Sequence, residues 1–189
     1  MAFIDKNNNN IIGISDFHYA LLTENTISAY THAEMTPIVG LAQVGVSPVL
    51  AEGSFYGDNS RLLYEKSITG FDLTVELGSI PEAVKAEWFG NDYNETTGKV
   101  IIKSSDISGE LAIAFKAVKA DGQFTYFKFL ASKAQLGDSS IATKGSDITF
   151  QSETITFNCI ARITDGALYE KQLAGTDGAE GADFFNAVV

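Results

Sequence analysis

Two histidines, one cysteine and 24 carboxylates are the groups from which catalysis or metal binding would have to be built. His32-Ala33-Glu34 matches the opening of the zinc deaminase signature, where a histidine ligates the metal and a glutamate moves the proton. That chemistry also needs Pro-Cys-x-x-Cys, which a single cysteine cannot supply. His18, the other histidine, lies in a weak local pattern. Cys159 falls on the apolar side of an alternating run, the place of a buried structural thiol rather than a nucleophile. No Gly-x-Ser-x-Gly elbow occurs. Gly175, Gly178 and Gly181 form a glycine-rich stretch, but no Lys-Ser/Thr and no helix follow it, so it is not a phosphate loop. Asp72 and Glu76 share a strand face with no apolar pocket beside them, which fits a solvated face better than an acid/base pair. Aromatic residues are not interleaved with basic ones, which argues against a base-stacking sheet. The expectation is a protein that is not an enzyme, with no catalytic residues, no cofactor and no metal.

Composition narrows the class further. The chain has 189 residues, 45% hydrophobic and 20% charged, enough for one domain with its own core. Its 24 acidic and 13 basic side chains give a formal net charge of -11. That field repels nucleic acid phosphate, so gripping DNA is disfavoured, although DNA could slide past without sticking. A lone cysteine fits a reducing compartment. The first residues lack a basic segment followed by an apolar run, and no apolar stretch approaches a membrane span. These features predict folding in a cytosol with no membrane partner.

The elements that must position any site are mostly strands. Residues 1–10 end in four asparagines and read as a flexible arm. Ile11 to Tyr19 could be a first strand, and Leu21 to Met35 a loop or edge strand. Residues 38–50 alternate, with Pro48 marking a strand end or a sheet edge. Residues 52–66 read as a long loop, since Gly53 and Gly57 flank Ser54-Phe55-Tyr56 and Asp58-Asn59-Ser60 is turn chemistry. Phe55, Tyr56, Leu62, Leu63 and Tyr64 in such a loop point to a partner surface. Phe71, Leu73, Val75 and Leu77 then face inward, opposite Asp72, Thr74 and Glu76. Residues 79–90 are the one predicted helix, opened by a Ser79-Ile80-Pro81-Glu82 capping box and closed by Gly90. Its stripe is Ile80, Val84 and Trp88.

Beyond a loop at Asn91–Gly98 and a short strand at Val100–Lys103 comes the most informative stretch, Gly109 to Lys133. Asp121-Gly122 between two apolar runs predicts a hairpin. A two-residue turn would pair Leu111 with Ser132, Ile113 with Leu130, Phe115 with Lys128 and Ala117 with Tyr126. On the other face it would pair Glu110 with Lys133, Ala112 with Ala131, Ala114 with Phe129 and Lys116 with Phe127. Neither face is polar, so both should be covered. A polar loop (Leu136–Lys144) and a long strand region (Gly145–Ile163) follow. The inward set of that region changes parity near Ser152-Glu153, from Ile148 and Phe150 to Ile155, Phe157, Cys159, Ala161 and Ile163. Residues 166–189 read as an acidic, glycine-rich arm whose apolar end docks on a neighbour or frays.

Several strings resemble the major tail tube proteins of long-tailed, non-contractile bacteriophages. They are Ile12-Gly13-Ile14-Ser15-Asp16-Phe17-His18-Tyr19-Ala20, Phe55-Tyr56-Gly57-Asp58-Asn59 and Ile80-Pro81-Glu82-Ala83-Val84. Leu111-Ala112-Ile113-Ala114-Phe115, Thr125-Tyr126-Phe127-Lys128-Phe129-Leu130 and Thr143-Lys144-Gly145-Ser146-Asp147-Ile148-Thr149-Phe150-Gln151 continue the series. The asparagine-rich start and the glycine-acidic end depart from it. The resemblance implies a mainly-β antiparallel sandwich or barrel over residues 11–165 with one flanking helix. It implies homohexameric rings stacked into a virion tail tube, assembled in the host cytoplasm, through which double-stranded DNA passes without specific binding. It also implies tape-measure, initiator and terminator proteins as partners. Residues 52–66 would be the inter-subunit arm, and Asp72 and Glu76 are expected to face the lumen. The alternatives are a ring protein of a contractile tailocin or secretion system and, less favoured, a virion carbohydrate-binding sandwich.

Overall fold

The apolar–polar alternation does set strands, and in the computed structural model nine of them form one antiparallel sheet around a shared interior. Residues 10–137, 152–174 and 184–185 are described. In chain order the strands are β1 (Ile11–Asn25), β2 (Tyr30–His32), β3 (Thr36–Ile38), β4 (Leu41–Gly57) and β5 (Ser60–Leu77). Helix α1 (Glu82–Phe89) and the small hairpin β6 (Asp92–Asn94)–β7 (Lys99–Ile101) follow. Then come β8 (Glu110–Lys119), β9 (Phe124–Gln135), β10 (Glu153–Ile160) and β11 (Tyr169–Ala174). The sheet runs β2-β1-β8-β9-β10-β5-β4, with β3 also on β1 and β11 also on β9.

Strands from both ends of that path send side chains to one core: Phe17 and Tyr19 from β1, Leu73 and Val75 from β5, Leu111 from β8, Phe157 from β10. Phe17 and Phe157 lie 6.5 Å apart between ring centroids. The sheet therefore folds over its own interior. The expected mainly-β antiparallel fold with one helix is present, and its layers belong to one continuous hydrogen-bonded sheet.

The helix plugs this interior. Trp88 is fully buried, edge-on to Tyr19 at 5.3 Å and to Phe157 at 5.2 Å. The capping box does not form: no side chain caps the helix, and Pro81 occupies the cap position in an extended conformation (φ -57, ψ 138). Its carbonyl accepts from the N–H groups of Val84 and Lys85. Ile80, 3% exposed, is drawn into the core, which explains the geometry: the chain enters the helix under its own hydrophobic anchor. Gly90 closes the helix at φ 70, as its left-handed cap requires. Lys85 bridges Glu82 at 2.8 Å and Glu153 at 2.6 Å, tying the helix to β10.

The β8–β9 hairpin departs from its expected register by one residue near the turn. Gly122 donates to the Lys119 carbonyl at 3.0 Å with φ 81, and Lys119 donates to Gln123, so the turn has three residues. Phe115 consequently faces Phe127, stacked at 5.2 Å, and Ile113 faces Phe129. A bulge opposite Ala112 restores the expected pairs Leu111–Ser132 and Glu110–Lys133 at the open end. Both faces are covered as expected: one by the main core, the other by Ala20, Met35, Phe184 and Phe185.

Other boundaries move. β1 runs on to Asn25, because Leu21 still packs against the core. Part of the expected loop after the helix is β6. β10 ends at Ile160, leaving Ile163 exposed rather than inward, while Ile155, Phe157 and Cys159 are buried. The C-terminal arm contains a strand, since β11 pairs residue by residue with β9 from Tyr169–Phe129 to Ala174–Phe124. The asparagine-rich start up to Asn9, the inward pair Ile148 and Phe150, and residues 175–183 lie outside the described residues.

Candidate assembly surface

Residues 52–66 are not a loop. They are the outer part of the β4–β5 hairpin, which pairs from Leu41–Leu77 out to Gly57–Ser60. Asp58 and Asn59 make the tight turn, with φ 50 and 61, the two positive values a type I′ turn needs. Pro48 lies within β4, which is tolerated because β4 ends the sheet path and needs no further partner at that edge. From Ser47 to Tyr56 and back from Ser60 to Thr69, every residue is exposed. At about 3.3 Å per residue the arm projects about 30 Å.

All five residues predicted from the sequence lie on this arm: Phe55 59% exposed, Tyr56 65%, Leu62 57%, Leu63 64% and Tyr64 45%. Phe55 stands directly opposite Leu63, and Leu62 reaches over Gly57 beside the Phe55 ring. Arg61 lies 4.7 Å over the Tyr64 ring. Leu50 and Ile68 pair further down the shaft and, with Val49, extend the apolar surface. These three were missed because in sequence they look like ordinary buried strand residues. Glu52 and Lys66 bridge the arm at 2.6 Å, and the lysine holds the carboxyl below its usual range. The bridge is solvent-exposed and adds little stability.

Asp72 and Glu76 are half-buried on the face of β5 that points away from the core. The topology brings them into polar rows that alternation alone could not reveal. Glu110, Lys133, Asn158, Asp72 and Ser47 are successive cross-strand partners over β8, β9, β10, β5 and β4. Asn158 donates to Asp72 at 2.7 Å, and Ser152 donates to Glu76. Gln135, Thr156 and Thr74 form the next row. This side of the sheet carries amides, hydroxyls and carboxylates with no aromatic ring among the residues named.

A buried polar cluster lies against β9. Lys128, fully buried, approaches the His32 Nε2 at 3.1 Å, and His32 Nδ1 lies 2.6 Å from the Ala33 carbonyl. Arg162 stacks 5.0 Å over Tyr30 and binds Asp165 through two hydrogen bonds. Glu170 is the cross-strand partner of Lys128. Burial pushes the Lys128 ammonium down to about 8, against the opposing pull of Glu170 and with added repulsion from Arg162. Between that value and 10.5 the unfolded chain holds a proton that the folded chain has lost, so the Lys128 contribution to stability rises with pH across the window. The Cys159 thiol and the Tyr19 and Tyr30 hydroxyls, all raised by burial, act in the opposite direction as pH rises through their ordinary values, because the folded chain then holds the extra protons. The difference in urea-derived unfolding free energy between the parent and Lys128→Met isolates the lysine and should shift in favour of the parent by about 1.5 kcal/mol from pH 8 to 9.5. A difference that does not change with pH would reject the assignment.

Cys159 is buried and its thiol is pushed up to about 12 by burial, so it is an inert core residue. Among the described residues no group of three or more His, Cys, Asp or Glu could hold a metal ion. None of the described helices is long and apolar enough to cross a membrane. The chain matches no protein-family model and no curated protein.

Proposed function

We propose that this chain is a self-assembling structural subunit, the tail tube protein of a long-tailed non-contractile phage. One observation carries the reading: a two-stranded arm of about 30 Å with large exposed apolar side chains on both faces, which none of the described residues covers. An isolated hairpin is marginal in water, and an exposed apolar edge strand invites pairing. Identical copies provide a defined cover. An arm that reaches from one copy to a different patch on the next makes a heterologous interface, which closes into rings or continues as filaments. Homohexameric rings stacked into a tube use both outcomes. The order of the six sequence strings supports the same family.

In this reading the polar rows through Asp72 and Glu76 line the lumen. Carboxylates repel phosphate, so double-stranded DNA passes without binding. Tape-measure, initiator and terminator proteins are the other partners, and the virion tail is the location. Negative-stain microscopy and sedimentation of concentrated protein test the proposal. Rings or tubes are expected, and a chain that stays monomeric at every concentration, even with tail initiator present, rejects it. The lumen assignment has its own test. Asp72→Asn with Glu76→Gln should leave assembly unchanged and increase DNA retention by the tubes at low salt in a filter-binding assay. Loss of assembly, or unchanged retention, would place both carboxylates elsewhere.

A further inference from the structure

β4 and β11 each keep one edge without a strand partner among the described residues: β4 pairs with β5 alone, and β11 with β9 alone. The direction of each edge follows from its ladder. Leu130 donates to the Leu168 carbonyl, so Leu168 and, by alternation, Glu170 and Gln172 turn their backbone groups to β9. Tyr169, Lys171 and Leu173 therefore point theirs outward. On β4, Gly57 stands opposite Ser60 across the two-residue turn, and the residues flanking such a turn bond to each other. Counting back from Gly57, Tyr56, Ser54, Glu52, Leu50 and Pro48 face out. Pro48, which has no N–H to offer, thus falls on the open side.

The path of the sheet keeps these two edges apart within one copy. β10 lies between β9 and β5 as far as Ile160, whose partners are Ala131 and Gly70. Beyond it β11 takes the place beside β9, so its open edge looks towards β5, whereas the open edge of β4 looks away from β5. The arm bends off at a bulge between the Val49–Gly70 and Leu50–Ile68 partners, and Lys171, Gln172 and Leu173 are left exposed. Between copies the two edges match. Antiparallel pairing with outward residues opposed sets Leu50 against Leu173, Glu52 against Lys171 and Ser54 against Tyr169. Glu52 then lies between Lys171 and its own partner Lys66, and Leu50 joins Ile68 to Leu173 in an apolar row. A slip of two residues one way sets Leu50 against Lys171 and brings Pro48, without a donor, into the new ladder. A slip the other way sets Glu52 against Leu173. Of the three registers, only the first pairs the charges.

We infer that the outer edge of β4, at residues 50–54, adds as a strand to residues 169–173 of β11 in a second copy of this chain. This contact depends on the self-assembly proposed above and adds the place where the arm lands. Every copy has one edge of each kind, so the contact is heterologous and repeats from copy to copy. In this register Ala51 and Gln172 form a non-hydrogen-bonded pair with Cα atoms about 4.5 Å apart, which a disulfide can bridge. Ala51→Cys and Gln172→Cys, each made in the full chain, are mixed in equal amounts, concentrated and oxidised, so a bond between positions 51 and 172 can form only between copies. Both positions are exposed, Cys159 is buried, and circular dichroism checks the fold. Mass spectrometry should find the 51–172 link. Gly53→Cys in place of Ala51→Cys stands diagonally, about 7–8 Å from position 172, and should give at least about ten times less product. Equal yields from the two mixtures, or no link, would overturn the inference. Sedimentation of the unoxidised mixture reports assembly separately. Rings or tubes without the link overturn the inference and leave the tube reading standing, and linked pairs that never grow beyond small oligomers support the inference against the tube reading. A mixture that stays monomeric overturns both.

Discussion

Phe55→Glu combined with Leu63→Glu should give a folded protein that no longer assembles. The two side chains stand directly opposite each other on the arm, both more than half exposed and with no place in the core. Exposed positions of this kind change folding stability by about 0.5 kcal/mol or less. Two glutamates facing each other also repel, which loosens the arm tip but not the body. Assembly is affected far more. An aromatic or large aliphatic anchor at the centre of an interface is worth about 2 kcal/mol or more, a loss of at least about 30-fold per contact. Every subunit of a ring or tube repeats the contact, so the critical concentration should rise beyond reach. Sedimentation velocity should find monomers, while the thermal melt stays near that of the disassembled parent. Particles formed at the parental concentration would remove the arm from the interface.

The arm also marks the limit of what the sequence discloses. Gly53, Gly57 and Pro48 break an alternating pattern, and they read as punctuation between elements. In the folded chain Pro48 sits at a sheet edge that needs no further partner, and Asp58-Asn59 alone makes the turn. An apolar strand that awaits a partner has the same periodicity as one already buried, so exposure at Phe55 or Leu63 follows from topology, not from pattern. The same holds for Asp72. Its outward direction was legible from alternation, but its place between Ser47 and Asn158 depends on which strands become neighbours. In the Asp121-Gly122 hairpin the dipeptide located the turn, yet it fits two- and three-residue turns equally. A single added residue shifted Phe115 from Lys128 to Phe127. Phe184 and Phe185 had no periodic signal at all, because their partners are set by the far side of the sheet.

Trp88→Ala should act in the opposite way to the arm variant. Trp88 is fully buried where the helix meets the sheet, between Tyr19 and Phe157. Truncation removes the transfer free energy of the ring and leaves a cavity, together about 3–5 kcal/mol. That is a large share of the 5–15 kcal/mol by which domains are ordinarily stable. Trp88→Phe separates packing from polarity. The indole N–H has no hydrogen-bond partner among the described residues, so its removal breaks no bond, and the cost should be only that of the smaller ring's lost packing, well below that of Trp88→Ala. Urea denaturation of disassembled protein measures both. Equal costs for the two variants would mean that the N–H is satisfied and that its bond, not the packing, anchors the helix. Association binds only the folded form, so it stabilises by mass action. The melting temperature of Trp88→Ala should therefore climb with protein concentration as copies assemble, whereas that of the arm variant should not. That contrast separates a subunit that folds without assembling from one that needs its neighbours to stay folded.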